Sequence, residues 1–171
     1  MNLGDVMKKI IGVIFLCLIV GVVAYFGTLL IDNMKRNGDV KVTVTFDDTK
    51  TFKIESTEKM NKEKALKEWP YIMEVENSGS GKGLYQIIIT DEEKSTIKRD
   101  NLDYVLKLND KEVASGKLKD IKNNILYTGD IEGKTKQKYK LYVWVTTDVE
   151  KDAIYEYKLE FNTIKSGGPG F

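Results

Sequence analysis

The most restrictive feature of this chain is an apolar run over residues 10–31, IIGVIFLCLIVGVVAYFGTLLI. It is 22 residues long and carries no charge; beyond a thiol, its polar groups are the Thr28 hydroxyl and the Tyr25 phenol. Wound as a helix at 1.5 Å per residue it would reach about 33 Å, enough for a hydrocarbon core of about 30 Å. A segment apolar on every side has no amphipathic face to lay on a small core, so it reads as a membrane span. Ile10, Phe15, Leu18, Val22, Phe26 and Ile31 are the residues expected in contact with lipid. Lys8 and Lys9 close the run on one side, and Asp32, Asn33, Lys35 and Arg36 close it on the other. The chain then divides into a short cytoplasmic tail (1–9), a signal-anchor helix (10–31), a linker (32–39), a folded domain (40–164) and a flexible tail (165–171).

Three readings of the N-terminus compete. It is an uncleaved signal-anchor with the domain outside; or a secretory signal cut after the small residues Val22 and Ala24; or an anchor with the domain in the cytoplasm. Cutting at Ala24 would leave residues 25–31 as a greasy new end. Charge does not choose an orientation, because Lys8 and Lys9 face Lys35, Arg36 and Lys41 across the run. Gly12, Gly21 and Gly27 do not make a G-x-x-x-G spacing, so pairing of such helices has no specific support.

Composition removes classes of chemistry. The chain has no histidine, which excludes a histidine triad, a histidine general base and the H-E-x-x-H zinc motif. Its one cysteine, Cys17, lies within the apolar run, so the domain has neither a disulfide nor a thiol nucleophile. Leu16 before Cys17 also departs from the small residue that precedes a lipid-modified cysteine. Lys plus Arg number 27 against 26 Asp plus Glu, interleaved, so there is no basic face for nucleic acid. No catalytic, cofactor-binding or metal-ligating residue is expected.

Past the linker the pattern is that of strands. Val40, Val42, Val44 and Phe46 alternate with Lys41, Thr43 and Thr45, and Phe52 and Ile54 continue beyond 47–50, which predicts a hairpin. Asn61 is placed to cap a short helix over 62–69, with Ala65, Leu66 and Trp69 on one side and Pro70 as its stop. Such a helix is expected to pack over one end of the domain. Residues 71–76 and 84–90 follow as strands, joined by NSGSGKG, which lacks the G-K-[ST] ending and following helix of a phosphate loop and reads as a flexible connection. Leu102, Tyr104, Leu106 and Leu108 mark another strand, with a tight turn at 109–111 and a return over 112–118. A short apolar piece holds Ile121, Ile125, Leu126 and Tyr127. The strongest pair is 138–146 and 153–163. Tyr139, Leu141, Val143 and Val145 form one stripe of the first, while Tyr142 and Trp144 face the other way. That outward pair is a possible interaction surface, although such pairs are more often covered by a crossing helix or loop. Eight or nine strands at this rhythm, with one short helix, predict an all-β, antiparallel sandwich, Ig-like or jelly-roll-like.

Several stretches resemble the TasA/camelysin family of Gram-positive surface and biofilm-matrix proteins. They are the Val-rich opening strand and the helix region 60–68 leading to Pro70-Tyr71. With them go Met73-Glu-Val75-Glu-Asn77-Ser-Gly79, Tyr85-Gln-Ile87 and Tyr139-Lys-Leu141-Tyr-Val143-Trp144-Val145. The resemblance implies a jelly-roll-like sandwich outside the cell, and for some members fibres built by donating an N-terminal strand to the next subunit. Other members have been called metallopeptidases, a label that the absence of histidine undercuts here.

The expected function is therefore a membrane-anchored, extracytoplasmic, non-catalytic binding or structural module, its partners the lipid bilayer and a protein partner or further copies of itself. The alternative is a signal-cleaved matrix subunit that polymerises by strand donation. A glycosidase would need two facing carboxylates, for which Asp91, Glu92, Asp130 and Glu150 are candidates only because they fall near strand ends.

Overall fold

The computed structural model describes residues 38–46, 51–55 and 58–164. The expected span at 10–31 and the tail at 165–171 lie outside the described residues, among which no helix is long and apolar enough to cross a membrane.

Nine strands, one short α-helix and three single 3-10 turns make up the described residues. In order they are β1 (Val42–Phe46), β2 (Thr51–Ile54), α1 (Lys62–Ala65), β3 (Tyr71–Asn77), β4 (Gly83–Asp91) and β5 (Leu102–Leu108). β6 (Lys111–Lys117), β7 (Ile125–Ile131), β8 (Thr135–Val145) and β9 (Tyr155–Ile164) complete them. They form a five-stranded sheet in the order β1-β3-β8-β5-β6 and a four-stranded sheet in the order β2-β9-β4-β7, with every pairing antiparallel.

The two inner faces share one core, so the fold is sandwich-like. Met73, Val75, Leu106, Tyr139, Leu141 and Val145 from the larger sheet meet Phe52, Tyr85, Ile87, Ile89, Tyr155, Tyr157 and Leu159 from the smaller. Each set occupies alternate positions of its strand, as expected of a sheet with one dry face and one wet face. Aromatic rings bridge the layers: Tyr71 lies 4.2 Å from Phe52 and 5.7 Å from Tyr157, centroid to centroid.

Only one pair of strands consecutive in the chain is hydrogen-bonded, β5 with β6. Their turn is the predicted one. Asn109 and Asp110 both have positive φ, 47° and 67°, the twist that a two-residue hairpin needs and that Asn and Asp tolerate best. The predicted β1–β2 hairpin does not form. β1 pairs with β3 in one sheet, and β2 pairs with β9 in the other. β1 thus edges one sheet and β2 the other, and Phe46 and Phe52 both face the core, 6.2 Å apart. Likewise β8 and β9, the strongest pair by pattern, lie in different sheets.

Residues 77–83 are not the loose connection expected from their glycines. Asn77 is fully buried, the one polar side chain so placed among the described residues. Its Oδ1 accepts from the backbone N–H of Lys41 (3.2 Å) and Gly79 (3.1 Å), and its Nδ2 donates to the carbonyls of Gly81 (2.7 Å) and Ile131 (3.3 Å). Gly79 lies against the backbone of Asp39 and Lys41 so closely that a Cβ there would collide with the Asp39 carbonyl. Here the glycines serve close backbone approach, and the amide of Asn77 joins three chain segments.

Candidate functional site

Three places in the fold bear on function. The first is the outer face of β8, where the sequence puts Tyr142 and Trp144. Asn61 caps α1 as predicted, its Oδ1 accepting from Lys64 N–H at 2.9 Å. The helix lies on the outer face of the larger sheet, and Ala65 packs with Val105 and Trp144, flanked by Met60, Leu66 and Tyr142. The Met60 N–H to Val145 carbonyl bond (2.9 Å) and the Lys62–Glu112 ion pair (2.8 Å) hold it there. Trp144 is covered, 3% exposed, whereas Tyr142 remains half-buried with Lys107 Nζ 5.4 Å from its ring centre.

The helix is shorter than predicted. Lys67 and Glu68 bond back to Lys64 and Ala65, three residues before them, which tightens the last turn. Pro70 then disfavours a helical Trp69. Trp69 leaves the helical register and stands 95% exposed instead of packing beside Ala65. It stands on the rim of a cleft of about 390 Å³ between α1, the end of β2 and the outer face of β8, with Trp144 and Tyr142 also lining it. Lys53 with Glu55 and Lys64 with Glu58 form ion pairs along its walls, both at 2.5 Å.

The second place concerns the carboxylates. Asp91 ends β4 and is bound by Arg99, with Nε at 2.8 Å and Nη2 at 2.7 Å, and by the Tyr155 hydroxyl at 2.5 Å. Arg99 also donates to the Ile89 carbonyl and to Asn124 Oδ1, so the group ties the charged loop to the sheet. Burial, then the hydrogen bond to Asp91, pushes the Tyr155 phenol above its ordinary range. Glu92 pairs with Lys158 (3.0 Å) and Asp130 with Lys82 (2.6 Å), while the Glu150 carbonyl accepts from Ala153 in the β8–β9 loop. Asp130 sits opposite Leu84, seven residues along β4 from Asp91, a separation of about 23 Å at 3.3 Å per residue. Glycosidic pairs stand about 5–9.5 Å apart, so these two do not share a site.

The third place was not legible in the sequence. β9 spans ten residues, but β2 covers only four of them, Tyr155 to Lys158. Residues 159–164 have β4 on one side and, among the described residues, no strand on the other. Beside that free edge lies a groove of about 600 Å³, lined by Val42, Val44 and Phe46 of β1 and by Tyr85 and Phe161. It lies between β1 of the larger sheet and β9 of the smaller. Alternation in β9 reveals which residues face inward, but not where its neighbour stops.

Compared with known proteins, the sequence matches no family model and no curated relative.

Proposed function

We propose that this chain is a membrane-anchored, extracytoplasmic, non-catalytic module that joins a protein partner at the bacterial surface by accepting an extended segment beside β9. The observation that carries this reading is the β9 edge at 159–164, which has no strand on its outer side among the described residues and lies beside a groove lined by Val42, Val44, Phe46 and Phe161. An exposed edge offers a row of unpaired N–H and C=O groups, and the groove beside it offers room for alternate apolar side chains, the two ingredients of strand addition. The anchor itself rests on the apolar run at 10–31, and the outside orientation on the resemblance to the TasA/camelysin family. Within this reading the sheets form an Ig-like or jelly-roll-like sandwich, supported by β1 and β2 belonging to different sheets.

The free edge lies at the end of the domain where the chain enters. Gly38 touches Gly81, and Ile164 pairs with Leu84 at the same end. A domain held there by a short linker would meet the stalk or arm of a neighbour near the bilayer. The full chain, taken from membranes in mild detergent with whatever it holds, tests this by hydrogen exchange. Slower exchange at 159–164 in the complex than in the isolated chain is expected. Unchanged exchange there, with protection elsewhere, refutes the reading.

The same edge favours a second reading, a signal-cleaved subunit whose freed residues 25–31 fill the groove of the next copy. Mass spectrometry of the mature N-terminus separates the two, since an intact Met1 or Asn2 excludes release. Protease shaving of intact cells tests orientation: a domain that resists digestion until lysis lies inside.

A further inference from the structure

The end of the domain away from residue 38 carries a different kind of surface, the cleft over the outer face of β8. We propose that this cleft binds a neutral saccharide, with Trp69 as its stacking platform. Trp69 and Ile164 are the large hydrophobic side chains left exposed among the described residues, and Trp69 stands on the cleft rim with almost its whole indole in water. Pro70 next to it limits the backbone that presents it. The cleft, about 390 Å³, has the size of a small-ligand site, about 300–1,000 Å³ by general experience. Trp144 lines its floor, and its indole N–H is buried without an acceptor among the described residues.

The lining chooses the ligand class by elimination. Three glutamates, Glu55, Glu58 and Glu68, stand against two lysines, Lys53 and Lys64, which disfavours phosphate and other anions. A quaternary ammonium needs several rings converging on one point. At 95% exposure Trp69 has no ring facing it. A purely apolar ligand would strand the ion pairs along the walls. A sugar suits what remains: its C–H face covers the indole, and its hydroxyls take hydrogen bonds from the Lys53–Glu55 and Lys64–Glu58 pairs without bringing charge. The cleft and the free edge of β9 share no lining residue, so either can fail without the other.

Both tryptophans of the chain line this cleft, so intrinsic tryptophan emission reports on it alone. The experiment uses the full chain in lipid nanodiscs, free of sugar-based detergent, titrated with chitotetraose, maltotetraose and the anionic tetragalacturonate. A saturable emission change with a neutral tetrasaccharide is expected, and none with the anion. Trp69→Ala should weaken binding at least tenfold without moving the thermal midpoint, and Trp69→Phe should restore part of it. No saturable change with either neutral sugar overturns the proposal, as does binding that Trp69→Ala leaves intact. Loss of a co-purifying protein in Trp69→Ala, with no sugar response, assigns the cleft to protein docking and overturns it equally.

Discussion

The two ends of the domain are built on opposite terms. At the end where the chain enters, Asn77 and the glycines at 79, 81 and 133 bring three backbone segments into close contact. At the far end the helix, the end of β2 and the outer face of β8 meet loosely, with a cleft between them and Trp69 exposed. One buried amide can hold an end shut because each of its bonds replaces water that cannot enter. The far end is held by ion pairs such as Lys62–Glu112, Lys64–Glu58 and Lys59–Asp148 on exposed side chains, where water competes and each contributes little. Buried, backbone-directed bonds tie the entry end, and exposed ion pairs tie the cleft end.

Four measurements would break or sharpen that contrast. Asn77→Ala should have the largest effect, about 3–5 kcal/mol by chemical denaturation, since it strands buried N–H and C=O groups of three segments. A loss under 1 kcal/mol would mean that the entry end is not locked through this amide.

Alkaline titration compares the halves of the core directly. Burial pushes the Tyr85 phenol up to about 12, and Tyr139, which shares a short hydroxyl contact with it, is raised as well. A phenol held protonated by the fold stabilises the protein fully below its unfolded value near pH 10, and the gain is lost as pH rises through the folded value. Stability should therefore fall between about pH 10 and 12 by about 1.4 kcal/mol per pH unit for Tyr85, on the order of 3 kcal/mol in total. Tyr85→Phe should flatten that slope in the entry half, and Tyr155→Phe should do the same for the half near Asp91.

Gly79→Ala should cost about 2–3 kcal/mol, because the backbone of Asp39 and Lys41 must move aside for the new methyl group. Smallest of all, Trp69→Ala should stay within about 0.5 kcal/mol in thermal unfolding, as its side chain touches almost nothing. Trp144→Ala, at the buried floor of the same cleft, should cost about 3 kcal/mol through the cavity left between Ala65 and Val105. Equal effects of the two would erase the distinction between rim and floor.

How much of this was readable beforehand depends on the kind of interaction. The inward stripes of β8 and β9 and the turn at Asn109–Asp110 came through in the pattern, because face and turn preferences are local side-chain properties. The covering of Trp144 was also foreseeable, since a lone helix with Ala65 and Leu66 on one side needs an apolar face to sit on. The exposure of Trp69 was missed: helical spacing extended the helix one turn past the point where a tightened end and Pro70 stop it. The role of Asn77 was hidden because asparagine beside glycine looks like an ordinary turn, and nothing local announces that Lys41 and Ile131 will supply its partners.

By itself the sequence determined an apolar run of membrane-spanning length, a set of strands with one dry face each, and an inventory without histidine or a usable thiol. Tertiary structure alone decided which strand lies beside which, that β1 and β2 belong to different sheets, and that β2 covers only four residues of β9. The physical reason is that strands pair through backbone groups, which are the same in every residue but proline. Alternating side chains choose a face for a strand; they do not name its neighbour.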